Sequence, residues 1–259
     1  MGAGASAGRN GPVRITATII ALNEERNIAR AVRSVAFCEE VVVVDSGSSD
    51  RTVEIAESLG ARVVTNAWPG YAAQKNFAAE AASNDWVLSI DADEAVGPEL
   101  AGSIMRLKSG PPDRSGYDFP RLARYCGQWI RHSGWYPDRK VRLYRRDAGR
   151  WVGAYVHESV ELSGAPGHLE GDLLHYTCET FEDHRRRVDR YTDLAAREIA
   201  SSGRRVPVWR LVAGPALSFV KSYLLQLGFL DGRAGLTIAV MAARYVYLKY
   251  SKARGLADG

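Results

Sequence analysis

Two aspartates stand two positions apart in Ser89-Ile90-Asp91-Ala92-Asp93-Glu94. In extended chain such residues point the same way, so Asp91 and Asp93 can aim two carboxylates at one spot. Hard divalent cations such as Mg2+ take oxygen ligands, commonly one or two carboxylates completed by substrate phosphates. The chemistry that fits is the handling of a diphosphate through a metal. The plain alternative is a solvated acidic turn. A second polar cluster, Asp45-Ser46-Gly47-Ser48-Ser49-Asp50, follows Val41-Val42-Val43-Val44. Asp45 can accept hydrogen bonds from a base or ribose. Gly47 allows close backbone approach, and Ser48 to Thr52 read as helix-capping residues. In Gly70-Tyr71-Ala72-Ala73-Gln74-Lys75-Asn76, Lys75 is a point charge able to reach a diphosphate. A lone lysine on a helix is ordinarily solvated, so it counts only beside the other two clusters.

The elements around these clusters decide whether they meet. Val13 to Leu22 is an apolar, β-branched run that predicts a buried strand. Asn23 then reads as a helix N-cap, with Glu24 and Glu25 in the first turn. Val41 to Val44 predicts a parallel strand covered on both faces. Asp50 caps a helix running to Leu59, Ala61 to Thr65 is a strand, and Tyr71 to Ala82 is helical. Trp86 to Ile90 is a further strand, and Pro98 opens a helix at its first turn. Alternating strands and helices give βαβ units and a parallel sheet, an α/β fold. Ligands of such sheets bind at the carboxyl ends of the strands. Asn23-Glu24, the Asp45 cluster and the Asp91 cluster all follow strands, which favours chemistry over a solvated turn.

The second half is less regular. Gly110-Pro111-Pro112 marks a loop. Trp129 to Arg146 is aromatic and basic, interrupted by Gly134 and Pro137. Trp135 and Tyr136, with Trp129, can stack on sugar rings, although aromatics are more often core. Arg142, flanked by Val141 and Leu143, is the best placed of its arginines to meet an anionic group. Strands are expected within Val152 to Leu162, and a helix over Thr180 to Ser201.

ATIIALNEERNI, VVVVDSGSSDRT, GYAAQKN and SIDADE, in this order, resemble the donor-binding half of family 2 glycosyltransferases. GWYPDRKVRLYRR, VGAYVHESVE, LLHYTCETFEDHRRRVDRYT and YLLQLGFLDGRAGL are similar to the branch holding bacterial lipopolysaccharide core β-glucosyltransferases. The resemblance implies a GT-A fold, a Rossmann-like, mainly parallel sheet flanked by helices. It implies an inverting transfer of a hexose, glucose from UDP-glucose, to a lipopolysaccharide-core or other cell-envelope glycan, with Mg2+ or Mn2+. By position it assigns Asn23, Glu24 and Asp45 to the nucleoside, and Lys75 and Asp91 to the donor. Asp93 and His175 fall to the metal and Glu158 to the catalytic base. His157 stands before Glu158 where the family more often has a second acid. A base that takes the acceptor hydroxyl's proton and a Lewis acid on the leaving diphosphate are what inverting transfer needs.

Composition bounds the rest. The chain has 259 residues, 46% hydrophobic and 25% charged, with a net charge of +4. From Gly203 onward nine basic residues meet only Asp231 and Asp258, a net +7, so the remainder carries −3. Apolar runs interrupted by Arg210, Lys221, Arg244 and Lys249 read as amphipathic helices lying on anionic lipid. The expected organisation is a disordered leader over 1–12, a GT-A catalytic domain over 13–202 and a helical tail over 203–259. The catalytic domain divides into a nucleotide-sugar half (13–109) and an acceptor half (110–202). The expected place is cytoplasmic, peripheral on the inner face of the cell membrane. No basic-aromatic or zinc-finger pattern points to nucleic acid. Three scattered cysteines make neither a disulfide framework nor a zinc site. A nucleotidyltransferase would want a glycine-rich loop where Leu22-Asn23-Glu24-Glu25 stands, and a dinucleotide oxidoreductase would want GxGxxG. A non-catalytic GT-A scaffold would have lost the aspartate pair or Glu158, and both are present.

Overall fold

The structure, a computed structural model, describes residues 12–153, 158–203 and 206–257. The expected leader (apart from Pro12), together with Val156, His157, Arg204 and Arg205, lies outside the described residues. Four strands, β1 (Ile15–Ala21), β2 (Glu40–Asp45), β3 (Arg62–Thr65) and β4 (Trp86–Asp91), alternate with α1 (Ile28–Ser34), α2 (Thr52–Ser58) and α3 (Tyr71–Glu80). β1 pairs in parallel with β2 and β4, and β2 with β3. Side chains of a strand alternate between faces, and the core follows that period. Ile15, Ala17, Ile19, Val43, Leu88 and Ile90 pack with α1, α2 and α4 (Pro98–Lys108). Ile20, Val42 and Val44 pack instead with Ala78 of α3. Helices thus cover both faces, as the unbroken valine run requires.

The sheet continues through β5 (Glu94–Val96), β6 (Gly116–Tyr125), β7 (Gln128–Ile130), β8 (Asp138–Arg145), β11 (Gly167–His168) and β12 (Leu173–Cys178). Its order is β3-β2-β1-β4-β8-β6-β12-β5, with β7 and β11 beside β6. β8 joins β4 antiparallel, while β9 (Gly149–Val152) and β10 (Ser159–Leu162) form a separate hairpin. This is the mainly parallel, helix-flanked α/β arrangement expected.

Two local expectations fail. Asp50 is not the N-cap of α2, where Arg51 stands. Asn23 does not cap a helix, because α1 begins only at Ile28 with Asn27 at its N-cap. Asn23 is in the left-handed region at φ 56°. Its Oδ1 accepts from Ser49 N at 2.8 Å, and Glu24 N and Glu25 N donate to Thr52 Oγ1 (2.7 Å) and Asp50 Oδ2 (3.1 Å). The amides after β1 find acceptors in the Ser- and Asp-rich loop after β2, so the two loops are stitched together instead of extending α1.

The chain forms two compact units. Residues up to Arg121 with Arg139–Leu174 make the first, and Leu122–Asp138 with everything from His175 onward the second. α5 (Phe181–Ser201) packs against α7 (Gly232–Ala257) inside the second unit. Lys252 Nζ lies 2.7 Å from Asp193 and donates to Thr192 Oγ1 at 2.8 Å, and Ala196, Val206 and Ala253 share one buried cluster. A capping box between Thr180 and Asp183 starts α5. The apolar tail holds α6 (Arg210–Val220), a π turn (Lys221–Leu225), a 3-10 turn (Gly228–Asp231) and α7. Among the described residues no single helix is long and apolar enough to cross a membrane. Arg210–Leu225 and Gly228–Leu256 reach that length and composition only together, bent by 72°.

Candidate active site

β1, β2 and β4 run parallel, so the polar groups at their carboxyl ends share one edge of the sheet. After β2, Asp45 is buried and turns onto its own loop. Its Oδ2 accepts from Gly47 N (2.9 Å) and Ser48 N (2.8 Å), and its Oδ1 from the Ser48 hydroxyl. Gly47 sits at φ 95°, which an L side chain resists. Asp45 thereby shapes the loop that the sequence marked for the nucleoside.

The centre of the first unit is a chain of charges. The Lys75 side chain is 0% exposed. Its Nζ lies 2.9 Å from Asp91 Oδ1, 3.1 Å from Glu158 Oε1 and 4.3 Å from the Trp151 ring centre. Arg142 Nη2 donates to Asp91 Oδ2 at 3.1 Å and to Glu94 Oε1 at 3.0 Å. The Arg142 guanidinium stands 5.2 Å over the same Trp151 ring. Glu94 is fully buried; its Oε2 accepts from Asp91 N at 2.9 Å, and Arg121 lies 3.5 Å from its Oε1. Asn76 of α3 grips Trp151 through both backbone groups, at 2.9 and 3.0 Å, which fixes the indole as a floor under the two cations.

Burial pushes the Asp91 carboxyl up, but the Lys75 and Arg142 cations outweigh it and hold it well below the usual carboxylate range. Burial works against the Arg142 charge, yet Glu94 and Asp91 raise its pKa further. Burial also pushes the neighbouring Tyr144 phenol up to about 12. Glu24, half-buried after β1, is raised by burial and by the like charges of Asp93 and Asp50. Glu24 and Asp93 are thus electrostatic neighbours.

Glu158 Oε2 and the Nε and Nη1 of Arg142 are buried and have no hydrogen-bond partner among the described residues. Each unmade bond of a buried polar group costs about 1–3 kcal/mol. One carboxylate oxygen and two N–H donors without partners among the described residues are groups that a polar ligand would satisfy.

Several sequence expectations are redrawn here. Extended-chain parity does not carry past Asp91, because the chain turns at Ala92–Asp93 before β5. Asp91 and Glu94, not Asp91 and Asp93, converge on Arg142. Lys75 faces inward to two carboxylates instead of standing solvated on its helix. Glu158 joins the cluster although it lies 83 residues from Lys75. His175, Trp135 and Tyr136 belong to the second unit. Trp135 there packs on Tyr125 at 5.7 Å and His184 at 6.2 Å, and Arg131 stands 5.4 Å over the Tyr136 ring. No group of three or more His, Cys, Asp or Glu able to hold a metal occurs among the described residues. Sequence reasoning gave no role to Glu94 and did not single out Trp151. Glu94 had a signal in its spacing of three from Asp91, but an aromatic in a short strand reads simply as core.

Residues 16–157 match the model of the glycosyl transferase family 2. The chain belongs to that family. The Rhizobium meliloti lipopolysaccharide core biosynthesis glycosyltransferase LpsC is 30% identical, over 94% of this chain and 96% of that one. An uncharacterized glycosyltransferase of Rickettsia typhi is 32% identical, over 94% of this chain and 87% of its own length. Among solved structures, glucosyl-3-phosphoglycerate synthase of Mycobacterium tuberculosis, crystallised with Mn2+, UDP and glucosyl-3-phosphoglycerate, is 28% identical with a TM-score of 0.36. That match covers 43% of this chain and 44% of the synthase, less than half of either. Family 2 membership and the mainly parallel, helix-flanked sheet give this glycosyltransferase its GT-A type of fold, with the charge cluster at the exit of the fourth strand.

Proposed function

We propose that this glycosyltransferase moves glucose from UDP-glucose, with inversion, onto a lipopolysaccharide-core or related envelope glycan at the inner face of the membrane. The observation that carries the reading is the Lys75–Asp91–Arg142–Glu94–Glu158 cluster with its free Glu158 Oε2. The likeness to LpsC along nearly the whole chain supports the acceptor class. Lys75 holds Oε1 and leaves Oε2 for the acceptor hydroxyl's proton. The idle donors of Arg142 suit an anionic group on the donor or the acceptor. Asn23, Glu24 and Asp45 line the nucleoside side.

A divalent cation fits Asp93. Its carboxylate is a hard oxygen donor, and its like-charge neighbour Glu24 is crowded by it, which a cation relieves. Asp91 is already committed to Lys75 and Arg142, so Asp93, in the turn after β4, is the ligand left at this strand end. When bound, Mg2+ or Mn2+ supplies Lewis-acid stabilisation to the leaving diphosphate. Asp93→Ala is expected to remove the Mn2+ dependence of UDP binding while circular dichroism stays unchanged. Calorimetry with and without Mn2+ checks this, and an unchanged metal response rejects the role.

The function itself is tested by a donor screen. Purified protein, a panel of nucleotide sugars, Mg2+ or Mn2+ and a delipidated core oligosaccharide are mixed, and diphosphate release is read. Preference for UDP-glucose with acceptor-dependent release supports the reading. Preference for another donor replaces the sugar, and formation of a nucleotide sugar from a sugar phosphate rejects transfer to a glycan.

A further inference from the structure

Glu158 stands on a piece of structure apart from the large sheet. It immediately precedes β10, which forms with β9 a two-stranded sheet of its own. A two-stranded hairpin is marginal by itself, so its seat comes from the rest of the first unit. Apolar packing supplies part of it, because Trp151, Val160 and Leu162 lie against Tyr144, Val87 and Ala79. Gly149 lets β9 rest on the Tyr144 ring, where a Cβ would stand 2.6 Å from Cδ2. Contact of this kind is non-directional, and it resists a slide along the strand poorly.

Asn76 supplies the direction. Its Nδ2 donates to Trp151 O at 2.9 Å, and Trp151 N donates to its Oδ1 at 3.0 Å. The N–H and C=O of one strand residue point to the same edge. Asn76 therefore occupies, at Trp151, the edge of β9 that faces away from β10, as a partner strand would. A side-chain amide sets a donor beside an acceptor, which a carboxylate does not. The two bonds fix β9 along its own axis, and β9 in turn fixes β10, where Val152 stands opposite Ser159, next to Glu158.

Gln74 does a separate job on the same helix. Successive helix residues turn by about 100°, so Gln74 and Asn76 leave α3 roughly 160° apart, on either side of Lys75. Gln74 is buried. Its Nε2 donates to Ser46 Oγ at 3.0 Å and to Asn66 O at 3.2 Å, and its Oε1 accepts from Asn66 Nδ2 at 2.7 Å. Ser46 follows Asp45 in the loop on the nucleoside side. We infer that Asn76 is a positioning residue for glycosyl transfer, which clamps β9 and so sets where Glu158 Oε2 meets the acceptor hydroxyl, while Gln74 braces the nucleoside loop. Donor binding and turnover are then served by different side chains of α3. The positioning role rests on the reading of Glu158 as the base; the clamp itself does not.

Amide hydrogen exchange of the full chain reads the clamp without any turnover. Asn76→Ala is expected to speed exchange about tenfold in peptides from 149–153 and 158–162, while peptides of β1, β2 and β4 keep the parent's rates. Unchanged exchange in β9 overturns the clamp. Transfer from UDP-glucose to delipidated core oligosaccharide reads its use. Asn76→Ala is expected to lose about 10–100-fold in kcat with little change in KM for UDP-glucose, as a misplacement of ~1 Å at the base brings. Asn76→Asp keeps the size and one acceptor but has no donor for Trp151 O; it is expected to fall with Asn76→Ala, and it is read alone if the alanine variant does not fold. Gln74→Ala is expected to raise KM and spare kcat. The same split in the position 74 and position 76 variants overturns the inference. In a Glu158→Gln background Asn76→Ala is expected to cost roughly twofold or less, because both changes remove one contribution. A full further loss there means that Asn76 does not act through Glu158, and overturns the positioning role. Near-normal turnover of Glu158→Gln alone, or no transfer by the parent, sinks the reading of Glu158 and the positioning role with it, and leaves the exchange result standing.

Discussion

Glu158→Gln is expected to lose ~10²–10⁴-fold in turnover while keeping its affinity for UDP. The carboxylate has two jobs on two oxygens. Oε1 receives Lys75 at 3.1 Å, and Oε2 is buried with no partner among the described residues. Glutamine keeps an oxygen for Lys75 and the shape of the side chain, but it cannot take a proton at neutral pH. The loss therefore falls on kcat and not on donor binding. Single-turnover transfer and calorimetric UDP titration on the same protein separate the two. Near-normal turnover moves the base to another carboxylate, Asp138 or Glu161 being the first to replace. Weakened UDP binding in the variant gives Glu158 a structural role in the cluster.

Arg142→Met is expected to cost about 3–5 kcal/mol of stability, because it leaves Glu94 charged in a fully buried place. For a chain of 259 residues that lowers Tm on the order of 10 °C. The weight lies in the uncompensated charge more than in the lost attraction. Arg142→Met combined with Glu94→Gln is therefore expected to recover a large part of the loss, since both charges are then gone. Thermal and denaturant melts of the two singles and the double read this directly. A single variant as stable as the parent, or a double as unstable as Arg142→Met, contradicts the assignment. Activity is expected to fall in both, because the idle Nε and Nη1 donors go with the guanidinium.

The first ninety residues were legible because their information is local. An apolar run of about six residues followed by Asp or Asn, then a helical period, marks a strand, its carboxyl end and its crossover without any long-range contact. Asp45 and Asp91 were placed at one edge by that logic alone, and parallel pairing put them there. The family motifs added Glu158, which periodicity did not mark.

Tertiary structure decided which charges meet. Arg142 reaches Asp91 across 51 residues and Glu94 across 48, and Lys75 reaches Glu158 across 83. Local sequence sets the direction of a side chain, but a buried charge takes whichever opposite charge packing brings near, because leaving it alone in a low dielectric costs several kcal/mol. That is why Lys75 turned inward and Glu94 became a partner. The tail shows the same division. Its apolar stripes and basic margins were visible in the sequence, while its union with α5 and the 131–133 loop rests on Lys252, Asp193 and Asp231. These polar contacts and the buried Ala196, Val206 and Ala253 cluster, not the composition of the segment, join the tail to the rest of the second unit.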